Sequence, residues 1–262
     1  VSSNQVRRIQ PTNPDTPRMP SSRHDLHLHE QLLLLVLRDR KGTVDYRAGF
    51  YNLAMGGAIL AELALAGVIR IEESKKAFVE AAPVTGRPRD EIMAEALDRV
   101  RDSKRRRRAS AWVSTFGNLK RLRHRTALGL CRRGILRTKE SQILLVFRRK
   151  LYPTLDPGPE RKLIASLRDA VMDDGEIEAG LGVVLSLAHA TGSLRIHFER
   201  KELKVRKARL KAITAGEPFT VGTGHPAIAA RKAVRASVAA AQAAVAAAQA
   251  AVVASIAASS SS

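Results

Sequence analysis

LHEQLLLLVLRDRKG, residues 28–42, decides the fold class. Leu28 and then Leu32 to Leu37 form an apolar helix that must be covered on most of its circumference, and the run stops at Asp39, Arg40, Lys41 and the turn residue Gly42. A second helix is expected from Asp45 as its cap, through Phe50, Leu53, Ile59, Leu60, Leu63 and Leu65. From Leu53 on it is apolar on nearly every side, interrupted only by Glu62, so it should be the buried central helix, closed by Gly67. Two such helices in succession predict a mainly α protein: a single helical domain with short β-hairpins.

Outward from this pair, residues 68–72 and 77–81 read as short strands around a polar turn, and a helix follows from Asp90. Trp112, Phe116, Leu119, Leu122 and Leu130 mark further helices, with Lys120, Arg121, Arg123 and Arg125 on their wet faces. Residues 135–137 and 142–147 alternate as a hairpin around 138–141, extended by Arg148, Arg149 and Lys150. Helices are expected at 160–172, 176–189 and 198–213, then a loop at 216–224. Residues 1–22, with Pro11, Pro14, Pro17 and Pro20, read as a flexible tail, and 23–236 as the domain. Residues 237–262 read as an Ala-rich helix with a Ser tail. Val238, Val245 and Val252 recur there every seven residues, which suits either packing on the domain or self-association.

The charge is local. Seventeen Lys and Arg against two acids fall between residues 101 and 150, +15 of the formal +20. Such a surface concentrates anions: nucleic acid, an anionic membrane face or a phosphorylated head group. Aromatic residues are only 4%, which argues against base-stacking platforms. Cys131 is the single cysteine, so no intramolecular disulfide or thiolate zinc site can form, and a reducing, cytoplasmic compartment is expected. Neither 53–71 nor 238–258 is apolar enough to read as a membrane span.

Motifs for catalysis are missing: there is no P-loop, dinucleotide fingerprint, nucleophile elbow or zincin pattern. His24, His27 and His29 with Glu30 suggest a metal, but only the first two histidines share a helical face, and the group reads as the start of a solvated helix. His189, in an apolar stretch, reads as a core histidine. Asp173, Asp174, Glu176 and Glu178 lack calcium-loop spacing and fit a helix start. No enzyme activity, metal or cofactor is expected. Lys104, Arg105, Arg106, Arg107 and Arg108 read as a basic connection making general electrostatic contact. Lys120 and Arg123 differ, because a helical spacing of three would aim both at one phosphate.

Residues 28–42 and 61–69 (AELALAGVI), Glu95-Ala96-Leu97 within the helix from Asp90, Cys131-Arg132-Arg133-Gly134-Ile135-Leu136 and Leu187-Ala188-His189-Ala190 together resemble the Golgi phosphoprotein 3 (GPP34) family in order and type. The resemblance implies a mostly helical domain that binds phosphatidylinositol 4-phosphate in a shallow basic pocket, sits peripherally on the cytosolic membrane face and self-associates through the hairpin, here between Arg137 and Phe147. It places the family's basic pair at Lys120 and Arg123. A membrane-inserting tryptophan of the pocket rim falls at Arg47, and a central-helix arginine at Gly56, which implies weaker stereospecific recognition. Arg47 and Arg125 join the pair as expected head-group cations, Arg47 in place of the lost one. Eukaryotic members link Golgi glycosyltransferases to the COPI coat. The Ala- and Arg-rich composition points to a bacterial branch, for which a Golgi location and the adaptor role are not expected.

The sequence thus predicts a non-enzymatic binder of anionic phospholipid. Its rivals are a nonspecific nucleic-acid binder, for which residues 104–108 and the Ala-rich tail would serve, and a self-assembling scaffold.

Overall fold

The structure, a computed structural model, describes residues 26–250 apart from 73, 75, 84–85, 144–146, 218, 221–231 and 233–234. His24, the Pro-rich tail and the Ser tail lie outside the described residues. In chain order come α1 (Leu28–Val36), α2 (Tyr51–Leu65), β1 (Ile69–Ile71), β2 (Phe78–Ala81), α3 (Glu91–Arg101), β3 (Arg107–Arg108), α4 (Ala109–Gly117) and α5 (Leu122–Arg132). Then follow β4 (Lys139–Ile143), β5 (Phe147–Leu151), α6 (Gly158–Met172), β6 (Ile177–Glu178), α7 (Ala179–Ala190), a 3₁₀ turn (Ser193–Ile196), α8 (Arg200–Val205), α9 (Lys207–Thr214) and β7 (Phe219–Thr220). Residues 235–250 form a last helix, α10.

The mainly α reading holds, and α2 is its axis: every residue from Leu53 to Ala64 is buried. α1, α4 and α7 pack around it. Small residues set the spacing. A Cβ on Gly56 would lie 2.2 Å from the Val113 carbonyl oxygen and 2.6 Å from the Gly117 nitrogen, so α2 and α4 touch backbone to backbone. α10 is seated on the same axis, with Ala241 2.6 Å from a Cβ on Gly57 and Val238, Ala244 and Val245 buried. No helix among the described residues is long and apolar enough to cross a membrane.

Several expectations are corrected. α2 starts at Tyr51, not after Asp45, because the Asp45 carboxylate is taken by the Arg47 amide (2.9 Å) and the Arg38 and Arg47 guanidinium groups, which fold the preceding residues into turns. The supposed connection at 104–108 contains a strand: β3 pairs antiparallel with β2, completing the sheet β1-β2-β3. The hairpin exists in another register. β4 and β5 pair from Lys139↔Leu151 to Ile143↔Phe147, so residues 139–141 lie within β4 and are not the turn. The helix expected over 198–213 is divided into α8 and α9, and β6, ahead of a shortened α7, pairs parallel with β7.

The histidine group is not solvated. His29 is fully buried, and His27 and Glu30 nearly so. The reason is Glu62, the charge inside α2, which accepts the Leu28 amide at 2.9 Å and His27 Nδ1 at 2.5 Å and so caps α1 from another helix. Glu30 accepts the His27 amide at 2.9 Å and an Arg133 bond at 3.1 Å. Burial opposes protonation of His27 most strongly, but the bond to Glu62, its charge and that of Glu30 outweigh it, and the pKa is raised. Burial keeps His29 neutral. His189 also departs from expectation: it is exposed on the last turn of α7 and not in the core.

Candidate cationic site

α5 carries the cations singled out in the sequence, although not all on the helix. Lys120 is exposed in the turn between α4 and α5, and Arg121 follows in the left-handed region at φ 56°. For a non-glycine residue that backbone costs about 1–2 kcal/mol. Arg123 is the second residue of α5. The two expected partners therefore sit on either side of a sharp turn, and the argument from helical spacing does not describe them.

What gathers around them is broader than a pair. His124 contacts the hydroxyl of Tyr152 through Nδ1, their ring centroids 5.8 Å apart. Tyr152 is buried at the exit of β5, and its amide donates to the Gly42 carbonyl at 3.0 Å. This requires Gly42: φ is +60°, and a Cβ would lie 2.3–2.4 Å from the Tyr152 and Pro153 backbone. Burial first, and then the charges of Arg121, Lys150 and Arg123, lower the pKa of His124. Among the described residues none of Lys120, Arg121, Arg123 and Lys150 forms an ion pair, although Glu140 stands opposite Lys150 in the hairpin. Arg121 and Lys150 were not among the expected site residues. The run of charge held them in view, but only the hairpin register brings Lys150 to α5.

The remaining expected cations are placed elsewhere or already engaged. Arg125 bonds to Glu95, which also takes Arg99 at 3.0 Å, so its charge tethers α5 to α3. Arg47 is gripped by Asp45 through Nε (3.0 Å) and Nη2 (3.3 Å), and its Nη1 donates to the Arg195 carbonyl at 3.0 Å. The first of these bonds is the main reason the Asp45 carboxyl is held far below the usual carboxylate range. In the basic run, Arg106 pairs with Glu72 (2.9 Å) and Glu80 (2.7 Å) and covers the Phe78 ring. Arg107 stacks over Trp112 at 4.6 Å and donates to Thr115. Lys104, Arg105 and Arg108 stay exposed. Of the acidic cluster, Asp174 pairs with Arg206 and Glu178 caps α7. No group of three or more His, Cys, Asp or Glu side chains able to hold a metal occurs among the described residues.

A family model described as Golgi phosphoprotein 3 (GPP34) matches residues 28–258, a span that takes in α1, the α5 cations, the hairpin and α10.

Proposed function

The chain belongs to the Golgi phosphoprotein 3 family, and on that premise we propose that it is a non-enzymatic, peripheral membrane protein that binds the phosphorylated head group of an anionic phospholipid. The observation that carries the reading is a group of cations, Lys120 and Arg121 exposed in one turn, Arg123 in the first turn of α5 and Lys150 exposed two residues before the Tyr152 that His124 contacts, with no carboxylate paired to any of them among the described residues. Cations left unpaired are available to an outside anion, and guanidinium forks suit phosphate oxygens. The head-group class is a phosphoinositide such as phosphatidylinositol 4-phosphate or a similar anionic lipid. Gly56 sits against the backbone of α4, where no side chain fits, and Arg47 is held by Asp45. Binding therefore rests on the α5 cluster, with less stereospecificity than a pocket that used those two positions as well.

Lipid is preferred to nucleic acid because the run on which the latter drew is partly spent inside the protein, leaving Lys104, Arg105 and Arg108 for general attraction. The test is vesicle co-sedimentation of the Lys120→Glu, Arg123→Glu double variant, with phosphatidylinositol 4-phosphate, phosphatidylserine and neutral vesicles at one ionic strength. A cation near an anionic surface contributes about 1 kcal/mol, so reversing two charges removes about 4 kcal/mol, roughly a thousandfold. Binding is expected to be lost with the helical circular dichroism intact. Unchanged sedimentation would refute the assignment, and duplex DNA binding unaffected by the double variant would favour the rival.

A further inference from the structure

A second cationic feature shares no residue with the α5 cluster. Arg47, Arg168, Arg195 and Arg200 line an open groove of ≈ 750 Å³ formed by the loop before α2, α6, the 3₁₀ turn and α8.

Two of the four guanidinium groups are fixed. Arg47 is held by both Asp45 oxygens and the Arg195 carbonyl. Arg168 donates to Glu202 at 2.6 Å and to the His197 carbonyl at 3.0 Å, with its plane over the Phe198 ring at 4.9 Å. A guanidinium has five N–H donors. These bonds occupy three on Arg47 and two on Arg168, so both present further donors in orientations already set.

The other two are uncommitted. Arg195 and Arg200 are exposed, and neither side chain makes an ion pair or hydrogen bond among the described residues. The acids in the groove are satisfied: Glu202 takes Arg168 and the Glu199 amide, and Glu199 pairs with Lys201 at 3.0 Å. Burial lowers the pKa of His197, outweighing the Leu35 carbonyl that its Nε2 faces at 2.7 Å, so the ring adds little charge. The groove therefore carries a positive excess on planar forks. The ligand that such forks recognise is an oxyanion with several acceptor oxygens on one atom.

We infer that this groove is a second anion site, which binds a phosphomonoester through Arg195 and Arg200 against the fixed heads of Arg47 and Arg168. The phosphomonoester is either a soluble compound or the head group of a lipid, and the experiment separates these sources. Full-length protein, an Arg195→Gln, Arg200→Gln double variant and a Lys120→Gln, Arg123→Gln comparator are titrated with glycerol 3-phosphate by calorimetry. All three are also sedimented with phosphatidylcholine vesicles containing phosphatidic acid or phosphatidylserine. A soluble ligand is indicated by saturable glycerol 3-phosphate binding that weakens at least about tenfold in the Arg195/Arg200 variant, the loss of a charge-assisted hydrogen bond, and is unchanged in the comparator. A lipid ligand is indicated by a preference for phosphatidic acid over phosphatidylserine that disappears in the Arg195/Arg200 variant alone. Absence of both behaviours in the parent protein, or their survival in that variant, overturns the inference. Because the comparator removes two cations of the α5 cluster and leaves this groove intact, failure of this site and failure of the proposed function give different patterns.

Discussion

Gly56→Ala is the sharpest probe of the structure, because two physical effects oppose each other and geometry decides the sign. On propensity alone, alanine in the interior of α2 should stabilise the helix by about 1 kcal/mol. Its Cβ, however, would stand 2.2 Å from the Val113 oxygen and 2.6 Å from the Gly117 nitrogen, and both are backbone atoms that cannot rotate away. A normal carbon-to-oxygen contact is about 1 Å longer, so α4 must retreat along its whole contact with α2 and loosen Trp112, Val113 and Phe116, all buried beside it. Overpacking of this kind costs about 1–3 kcal/mol and occasionally more, and rigid backbone on both sides puts it at the upper end. The net expectation is a loss of about 2 kcal/mol or more, a drop of roughly 4–8 °C in Tm for a domain of this size. Gly49→Ala is the control, since nothing lies within 4 Å of a Cβ there; its Tm should stay level or rise slightly. Urea and thermal unfolding of the three proteins measure both. A Gly56→Ala protein as stable as the parent, or more so, would refute the backbone-to-backbone contact and reopen position 56 as a place for a head-group cation.

Three further outcomes follow from buried charge. The raised pKa of His27 means that the folded state holds a proton the unfolded chain releases, so this stabilisation is complete below about pH 6.5 and is lost as pH rises through the higher folded value. His29, kept neutral, acts in the opposite sense below pH 6.5, so the quantity to measure is the difference in urea midpoint between the parent and Glu62→Gln: it should shrink with rising pH, and a constant difference would contradict the ion pair. Glu160 is raised from 4.5 to about 8 by burial and by Asp39, so the folded state loses stability as pH climbs between those values, on the order of 3–5 kcal/mol in all. Glu160→Gln should therefore gain Tm over the parent at about pH 9 and not at about pH 4, and a pH-independent gap would exclude a buried protonated carboxyl. Arg125→Gln breaks a half-buried pair and should cost about 1–2 kcal/mol while leaving vesicle binding as it was; loss of binding would return Arg125 to the head-group site.

The helical core was legible because Leu32 to Leu37 and Leu53 to Leu65 are apolar beyond anything a strand or loop requires. Features that failed to show depend on partners distant in sequence. Nothing near His27 signals burial, since the carboxylate that accepts it is Glu62, on another helix. β3 was hidden because a strand edge is made by backbone pairing, and the arginine run masks that Arg106 and Arg107 lie over Phe78 and Trp112. The hairpin was placed too early because polar residues at 138–141 look like a turn, whereas the strands pair through Glu140↔Lys150 and Ser141↔Arg149. For the candidate site, charge was legible and geometry was not: a left-handed Arg121 separates Lys120 from the helix, and Lys150 arrives only through tertiary structure. Arg47 was legible in part, since Asp45, two residues back, is a local partner for it.

His124 converts the α5 cluster into a proton counter. Part of what keeps its ring deprotonated is the repulsion of Arg121, Lys150 and Arg123. An anion bound among them would screen that repulsion, and the imidazole should then draw a proton from solution as the complex forms. Ligand binding would be coupled to proton uptake, and the apparent heat of binding would vary with the ionisation enthalpy of the buffer, marking the occupied site without any label on the ligand.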